Sequence, residues 1–305
     1  METIHAMDLP IAPIVALAPP HRRRVSASTR VLALARLELH DSLRSRWLLF
    51  TAVVYALVFG AFVWLGLRES SVLGFTGLSR VVLHVANATV VAVPLVALVA
   101  TCQAVARARV SGHLELMLAQ PVRRGEWFLA LVLARVAVLL GPLAILLAAV
   151  AVTGLVVAPT DAALIPMTVH ALLVASSLVW AYLGLGLLVS ALAATLERAV
   201  VLALLVWLAS VALHDFALIG VLLQWRVPPP VVFGLAAVNP VEAARMAVLA
   251  SVDPELSVLG PVGFWMANQL GPTLTYTFGL GWPALVGSLA LLGGWRRVVN
   301  SDSVG

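Results

Sequence analysis

The sequence contains no lysine: all 19 of its basic residues are arginine. A chain without lysine cannot supply the phosphate-binding lysine of a G-x-x-x-x-G-K-[ST] loop, and no such loop is present, so nucleotide hydrolysis by that route is excluded. Cysteine is almost absent. The single Cys102 lies inside an apolar run, can form no intrachain bridge, and reads as a small packing residue. Charge is scarce too, at 11% of residues against 62% hydrophobic. Soluble domains run near a quarter charged and half apolar, so a soluble globular domain is excluded, along with a disordered chain, a collagen and a disulfide scaffold.

Metal-ligand spacing is also lacking. His84, His113, His170 and His214 are scattered, with no H-E-x-x-H or H-x-x-E-H and no C-x-x-C. Met246 and Met266 are isolated and suit packing better than a soft metal. No nucleophile elbow and no positioned acid–base pair is evident, which argues against an intramembrane hydrolase. What remains is a polytopic membrane protein, and the net charge of +5 is read as topology rather than as a nucleic-acid footprint.

Residues 1–28 read as a flexible tail, because their apolar piece precedes the charges and is broken by Pro10, Pro13, Pro19 and Pro20. Over 29–46 the spacing turns helical: Leu32, Ala35, Leu39 and Leu43 share one face, and Arg36, His40 and Arg44 another. Such a helix suits the membrane interface, or is a plain helix end beside a span. Six apolar stretches follow, near 47–67, 81–106, 127–157, 163–194, 199–223 and 276–295. The third and fourth exceed a straight crossing, so they tilt or protrude. Gly184 and Gly186 lie inside the fourth and predict close helix packing.

The arginines orient the bundle. Seven in 22–46, with Arg107, Arg109, Arg123, Arg124, Arg198, Arg296 and Arg297, fall on one side; Arg68, Arg80, Arg226 and Arg245 fall on the other. Arg135 sits just inside the third span, placed to snorkel. This asymmetry predicts six crossings with both termini cytoplasmic. Two segments then lie outside the spans: a cytoplasmic loop at 107–126 and an outer segment at 224–275. In the latter, Asn239 as N-cap, Pro240 at N1 and Glu242 at N3 predict a capping-box-like start of a helix running through Val252. Asp215, roughly 24 Å from the inner end of the fifth span and so near the outer interface, predicts a partner on another helix or water; it is either an interfacial anchor or a cavity or gating group.

The loop SGHLELMLAQPVRRGEWFLA resembles the segment after the second span in type-2 ABC exporter permeases, where a Gly-Thr-Leu-Glu run leads to a Pro and a basic pair. LELHDSLRSRWLLF resembles that family's amphipathic elbow, and YLGLGLLVSALAATLERAV its fourth-span exit. LGFTG, LHDFALIGVLL and NPVEAARM are similar to the branch serving maturation of nitrous oxide reductase, a periplasmic copper enzyme. Departures are His113 in place of the usual threonine, Arg107 and Arg109 where acidic residues are common, and the proline-rich tail.

The resemblance implies an all-α permease with an elbow helix, a coupling helix and an outer helical segment, without a cofactor of its own. It implies a separate ATPase, in two copies, that binds ATP and Mg²⁺; a homodimer of this chain in the bacterial inner membrane; and contacts with lipids and a periplasmic accessory protein, but no nucleic acid. The implied coupling residues are Gly112, Leu114, Glu115, Leu116, Met117, Pro121, Arg123, Arg124 and Glu126, with Leu114, Leu116 and Met117 as apolar anchors. Arg36, Glu38, Arg44 and Arg46 are the elbow candidates. Asp215, Asn239, Pro240, Glu242 and Arg245 are candidates for an outer gate or partner contact. An exporter of another substrate and a stand-alone secondary transporter stay open, although the latter's inverted repeats are not evident.

Overall fold

Apolar stretches of this length have no water to satisfy their backbone, so each closes its hydrogen bonds within itself as a helix. The computed structural model describes residues 26–44, 53–58, 60–61, 78–120, 122–157, 164–225, 227–253, 255–256 and 259–300, and among these there is no strand. Helix α1 covers Ala27–Arg44, α2 Leu78–Thr101, α3 Ala104–Val110 and α4 His113–Leu118. The long α5 (Arg124–Val157) and α6 (Leu164–Leu192) follow. Helix α7 (Leu196–Trp207) runs through a π-helical turn, Leu208–Leu213, into α8 (His214–Gln224). Helices α9 (Pro229–Ala237), α10 (Pro240–Val252), α11 (Gly260–Gln269) and α12 (Gly271–Asn300) complete the chain.

The fold is an all-α integral membrane protein. Five helices among the described residues are long and apolar enough to cross a bilayer, and they correspond to the expected second to sixth spans. The expected first span at 47–67 lies largely outside the described residues; residues 53–58 and 60–61 within it are helical. Helix α5 is 34 residues long. At 1.5 Å per residue that is roughly 51 Å, well beyond the ~30 Å of a hydrocarbon core, as the length of its apolar run implied. The last span is longer than its apolar stretch predicted, because α12 is 30 residues and continues through Pro283.

Helix α6 is the hub, packed against α12, α2, α5 and α10. Its glycines do what their place in the span predicted. A Cβ on Gly184 would meet the Gly287 carbonyl oxygen of α12 at 2.5 Å, and one on Gly186 would collide with Thr101 of α2. Small residues at those crossings bring the backbones together where larger ones would hold them apart.

The outer segment departs from expectation. It does not stand wholly outside the bundle, because α9 and α10 meet in a 116° bend and α10 turns back against α12, α6 and α2. Ala243, Ala244 and Ala247 are fully buried on α10 and Gly279 faces them from α12, so neither side holds the helices apart. Trp282 Nε1 donates to the Val238 carbonyl at 3.0 Å and holds the bend.

Candidate functional site

The arginine-rich end is built on a break in the second span. Between α2 and α3 the backbone turns at Cys102 and Gln103, which leaves the first amides of α3 without partners of their own. Ser190 of α6 supplies them: its Oγ accepts from Val105 N at 2.9 Å and from Ala106 N at 3.1 Å. A hydroxyl from the fourth span thus acts as the N-cap of the segment leading to α4. Arg109 ties the same elements again, donating to the Ala191 carbonyl at 2.9 Å, next to the end of α6. Ser190→Ala leaves two buried amides unmet and is expected to destabilise the protein by about 1–2 kcal/mol. The midpoint of thermal unfolding in detergent reads this directly.

Gly112 then reverses the chain at φ 70°, a left-handed conformation that suits glycine, and α4 follows at once. The expected trio of apolar anchors is split by this geometry. Leu116 and Glu115 are exposed and Met117 half-buried, but Leu114 is buried in the chain's own core. Leu114 is therefore the root of the helix, not a surface for a partner. Pro121 lies outside the described residues. Arg123 is exposed, and its backbone amide donates to Glu126 Oε2 at 3.1 Å.

Helix α1 lies along the start of α5. Arg30 donates from Nε to Glu126 Oε2 at 3.2 Å and from Nη2 to Oε1 at 2.6 Å. These two bonds clamp the Glu126 carboxylate at the start of α5 to the elbow helix. Glu38 makes the second tie: its Oε1 accepts from Trp127 Nε1 at 3.2 Å and lies 3.9 Å from His113 Nε2 of α4. The packed face of α1 carries Ala35, Glu38 and Ser42, whereas Leu32 and Leu43 of the expected apolar face are exposed. Arg36 is exposed, the Arg44 side chain is outside the described set, and Arg46 lies outside the described residues.

At the opposite end the expected gate residues do come together. Arg245 Nη1 lies 2.5 Å from Glu242 Oε1 and 3.3 Å from Asp215 Oδ2, and its Nη2 is also 3.3 Å from Asp215. Asp215 thus has an inter-helix partner, one of the two solutions its depth allowed. Asn239 caps α10 as predicted, with Oδ1 accepting from Val241 N at 3.0 Å, and Pro240 is the first helical residue. Glu242 does not close a capping box. The Asn239 amide it would have to meet is already bonded to the Ala236 carbonyl at 3.1 Å, so its carboxylate turns to Arg245. Asn239 Nδ2 donates to the Ser210 carbonyl at 2.5 Å, within the π-helical turn of the fifth span. A π turn displaces carbonyls from their ordinary partners, and here one of them is met from α10.

The family described as ABC-2 family transporter protein matches residues 32–276. The chain belongs to that family. It is 28% identical over 240 residues to the Probable ABC transporter permease protein NosY of Stutzerimonas stutzeri, covering 76% of this chain and 85% of that one. It is 29% identical over 227 residues to the protein of the same description from Pseudomonas aeruginosa, covering 73% and 82%. An ABC-2 permease is the transport subunit of an ABC transporter, with the ATPase in a partner subunit. Within this permease, sequence reasoning missed Ser190, Ser210 and Trp127. Ser190 in an apolar span carries no signal by itself; only its position beside the break in α2–α3 gives it work. The π turn has no sequence signature here, and Trp127 reads as an ordinary interfacial aromatic.

Proposed function

We propose that this chain is the permease of an exporter-type transporter of the bacterial inner membrane, with both termini in the cytoplasm. It works as a homodimer with two copies of a separate ATPase that binds ATP and Mg²⁺. The observation that carries this reading is the α3–α4 reversal, where a buried Leu114 roots a short helix that exposes Leu116 and Glu115. A push on that helix reaches the fourth span through Ser190 and the elbow and third span through Glu38 and Trp127. The gathering of arginines at this end supports its cytoplasmic placement.

At the far end, α10 is the gate or the contact for a periplasmic accessory protein, latched through Asp215, Glu242 and Arg245. Similarity to permeases named NosY supports a role in maturing nitrous oxide reductase, a periplasmic copper enzyme; export of another substrate is the alternative. The test is affinity purification of the tagged full chain from its native membrane in mild detergent. An ATPase subunit recovered in equal amount is the expected result, and a periplasmic protein carried with it names the pathway. Repeated recovery of the chain without any ATPase would overturn the coupling reading.

A further inference from the structure

A half-open cleft of about 180 Å³ lies at the arginine-rich end between α1, the α2–α3 break and α5. That is many times the ~10–15 Å³ that holds one water, so a ligand group fits. Its polar lining includes Glu38, Gln103, Arg107, Ser111, His113 and Arg135. The charges in it do not balance. Glu38 is engaged by Trp127 at 3.2 Å and faces His113 at 3.9 Å. Arg107 Nη2 donates to the neutral amide oxygen of Gln103 at 2.8 Å. Arg135 Nε is buried without a hydrogen-bond partner, and no carboxylate pairs with Arg135 or Arg107 among the described residues. A buried guanidinium donor left unmet is unfavourable, and with Glu38 as the one carboxylate among the described residues lining a cleft that holds two guanidiniums, one positive charge stays uncompensated until an anion enters.

The position of the cleft selects the anion. Arg135 stands eleven residues beyond the first residue of α5, roughly 16 Å along the helix, within reach of the interface by its long side chain. Helix α1 roofs this region and turns exposed Leu32, Leu37 and Leu43 outward, as a helix at the headgroup boundary does. Val99, Ala100 and Leu131 continue the lining as an apolar wall, suited to the first carbons of an acyl chain but to no part of a free ion. Guanidinium forks match phosphate oxygens two at a time, and basic pockets between spans at this depth suit anionic headgroups.

The geometry points to a lipid site: Arg135, with Arg107 at the rim, holds the headgroup phosphate of an anionic phospholipid from the leaflet at the arginine-rich end. It stands on the cleft alone and is independent of which ATPase docks on α4. The experiment is native mass spectrometry of the delipidated full chain, titrated separately with dioleoyl phosphatidylglycerol, dioleoyl phosphatidylcholine and inorganic phosphate. One phosphatidylglycerol per chain is expected to be retained at least tenfold more tightly than phosphatidylcholine. Arg135→Gln lowers that retention at least tenfold, Arg135→Lys less, and Arg107→Gln several-fold. Arg296→Gln, an exposed arginine away from the cleft, leaves it unchanged. If Arg135→Gln yields no monodisperse protein, Arg107→Gln decides. Equal retention of the two lipids, or retention unaffected by the cleft substitutions, overturns the site. Displacement of phosphatidylglycerol by inorganic phosphate at equal concentration makes it a free-anion site and overturns the lipid assignment.

Discussion

Replacing Leu116 with aspartate is expected to reduce recovery of the ATPase subunit at least tenfold while leaving the permease folded. Leu116 is 69% exposed on α4, so the substitution buries no charge within the chain and should change stability by less than about 0.5 kcal/mol. On a docked partner the same residue would be a desolvated apolar anchor. Losing such an anchor costs about 2 kcal/mol or more, and each 1.4 kcal/mol is a factor of ten in affinity. Leu114→Asp is the contrasting experiment. Leu114 is 9% exposed and belongs to the main core, so aspartate there places a charge among apolar side chains and should cost more than about 3 kcal/mol. The pair separates the two roles. Leu116→Asp should elute as a monodisperse protein without ATPase; Leu114→Asp should aggregate or melt far lower. If Leu116→Asp keeps its ATPase in full, the exposed face of α4 is not the docking surface.

Arg245→Met is expected to unlatch α10 from the fifth span. Arg245 faces two carboxyl groups at once, Glu242 on its own helix and Asp215 across the interface. Removing one partner of a fully buried ion pair costs about 3–5 kcal/mol, and an exposed pair about 0–1. Here Glu242 is 12% exposed at its side chain while Asp215 and Arg245 are near a third, so a loss of about 1–3 kcal/mol is the expected size. The decisive measurement is the rescue: Asp215→Asn with Glu242→Gln in the Arg245→Met background should recover most of the lost thermal stability. The repulsion and unmet charge that Arg245→Met creates are then gone. Absence of any recovery would mean that Arg245 stabilises by packing alone. Hydrogen exchange should also rise along α10 in the single variant, since the Asn239 bond to Ser210 is then left to hold the helix against the π turn.

The relation between the sequence and these two experiments is uneven, and the reasons are physical. Helix α10 was legible in detail because its start is local chemistry: Asn239, Pro240 and the stop near Val252 need only neighbours in sequence. Its burial was not legible. Ala243, Ala247 and Gly279 look like unremarkable small residues until α10 and α12 are placed side by side, which brings Gly279 against an alanine 36 residues before it. Helix α4 was legible as a helix but not as a surface. With six residues it has fewer than two turns, and which of Leu114 and Leu116 faces inward depends on where Gly112 aims the chain. The elbow shows the same limit: its helical period was visible, yet the packed stripe carries Glu38 and Ser42, because α5 offers Trp127 as a donor at that level.

By itself the sequence determined that the chain is an all-helical membrane protein, where most of its spans run, and how its charge divides between two ends. Those properties follow from apolar length and charge, which act residue by residue against the bilayer. The tertiary structure alone decided that Ser190 caps α3, that α10 folds back into the bundle, and that Arg245 serves two acids. Each of these rests on a contact between elements far apart in the chain, in the last case Arg245 with Asp215, and forms only after packing has brought their backbones together.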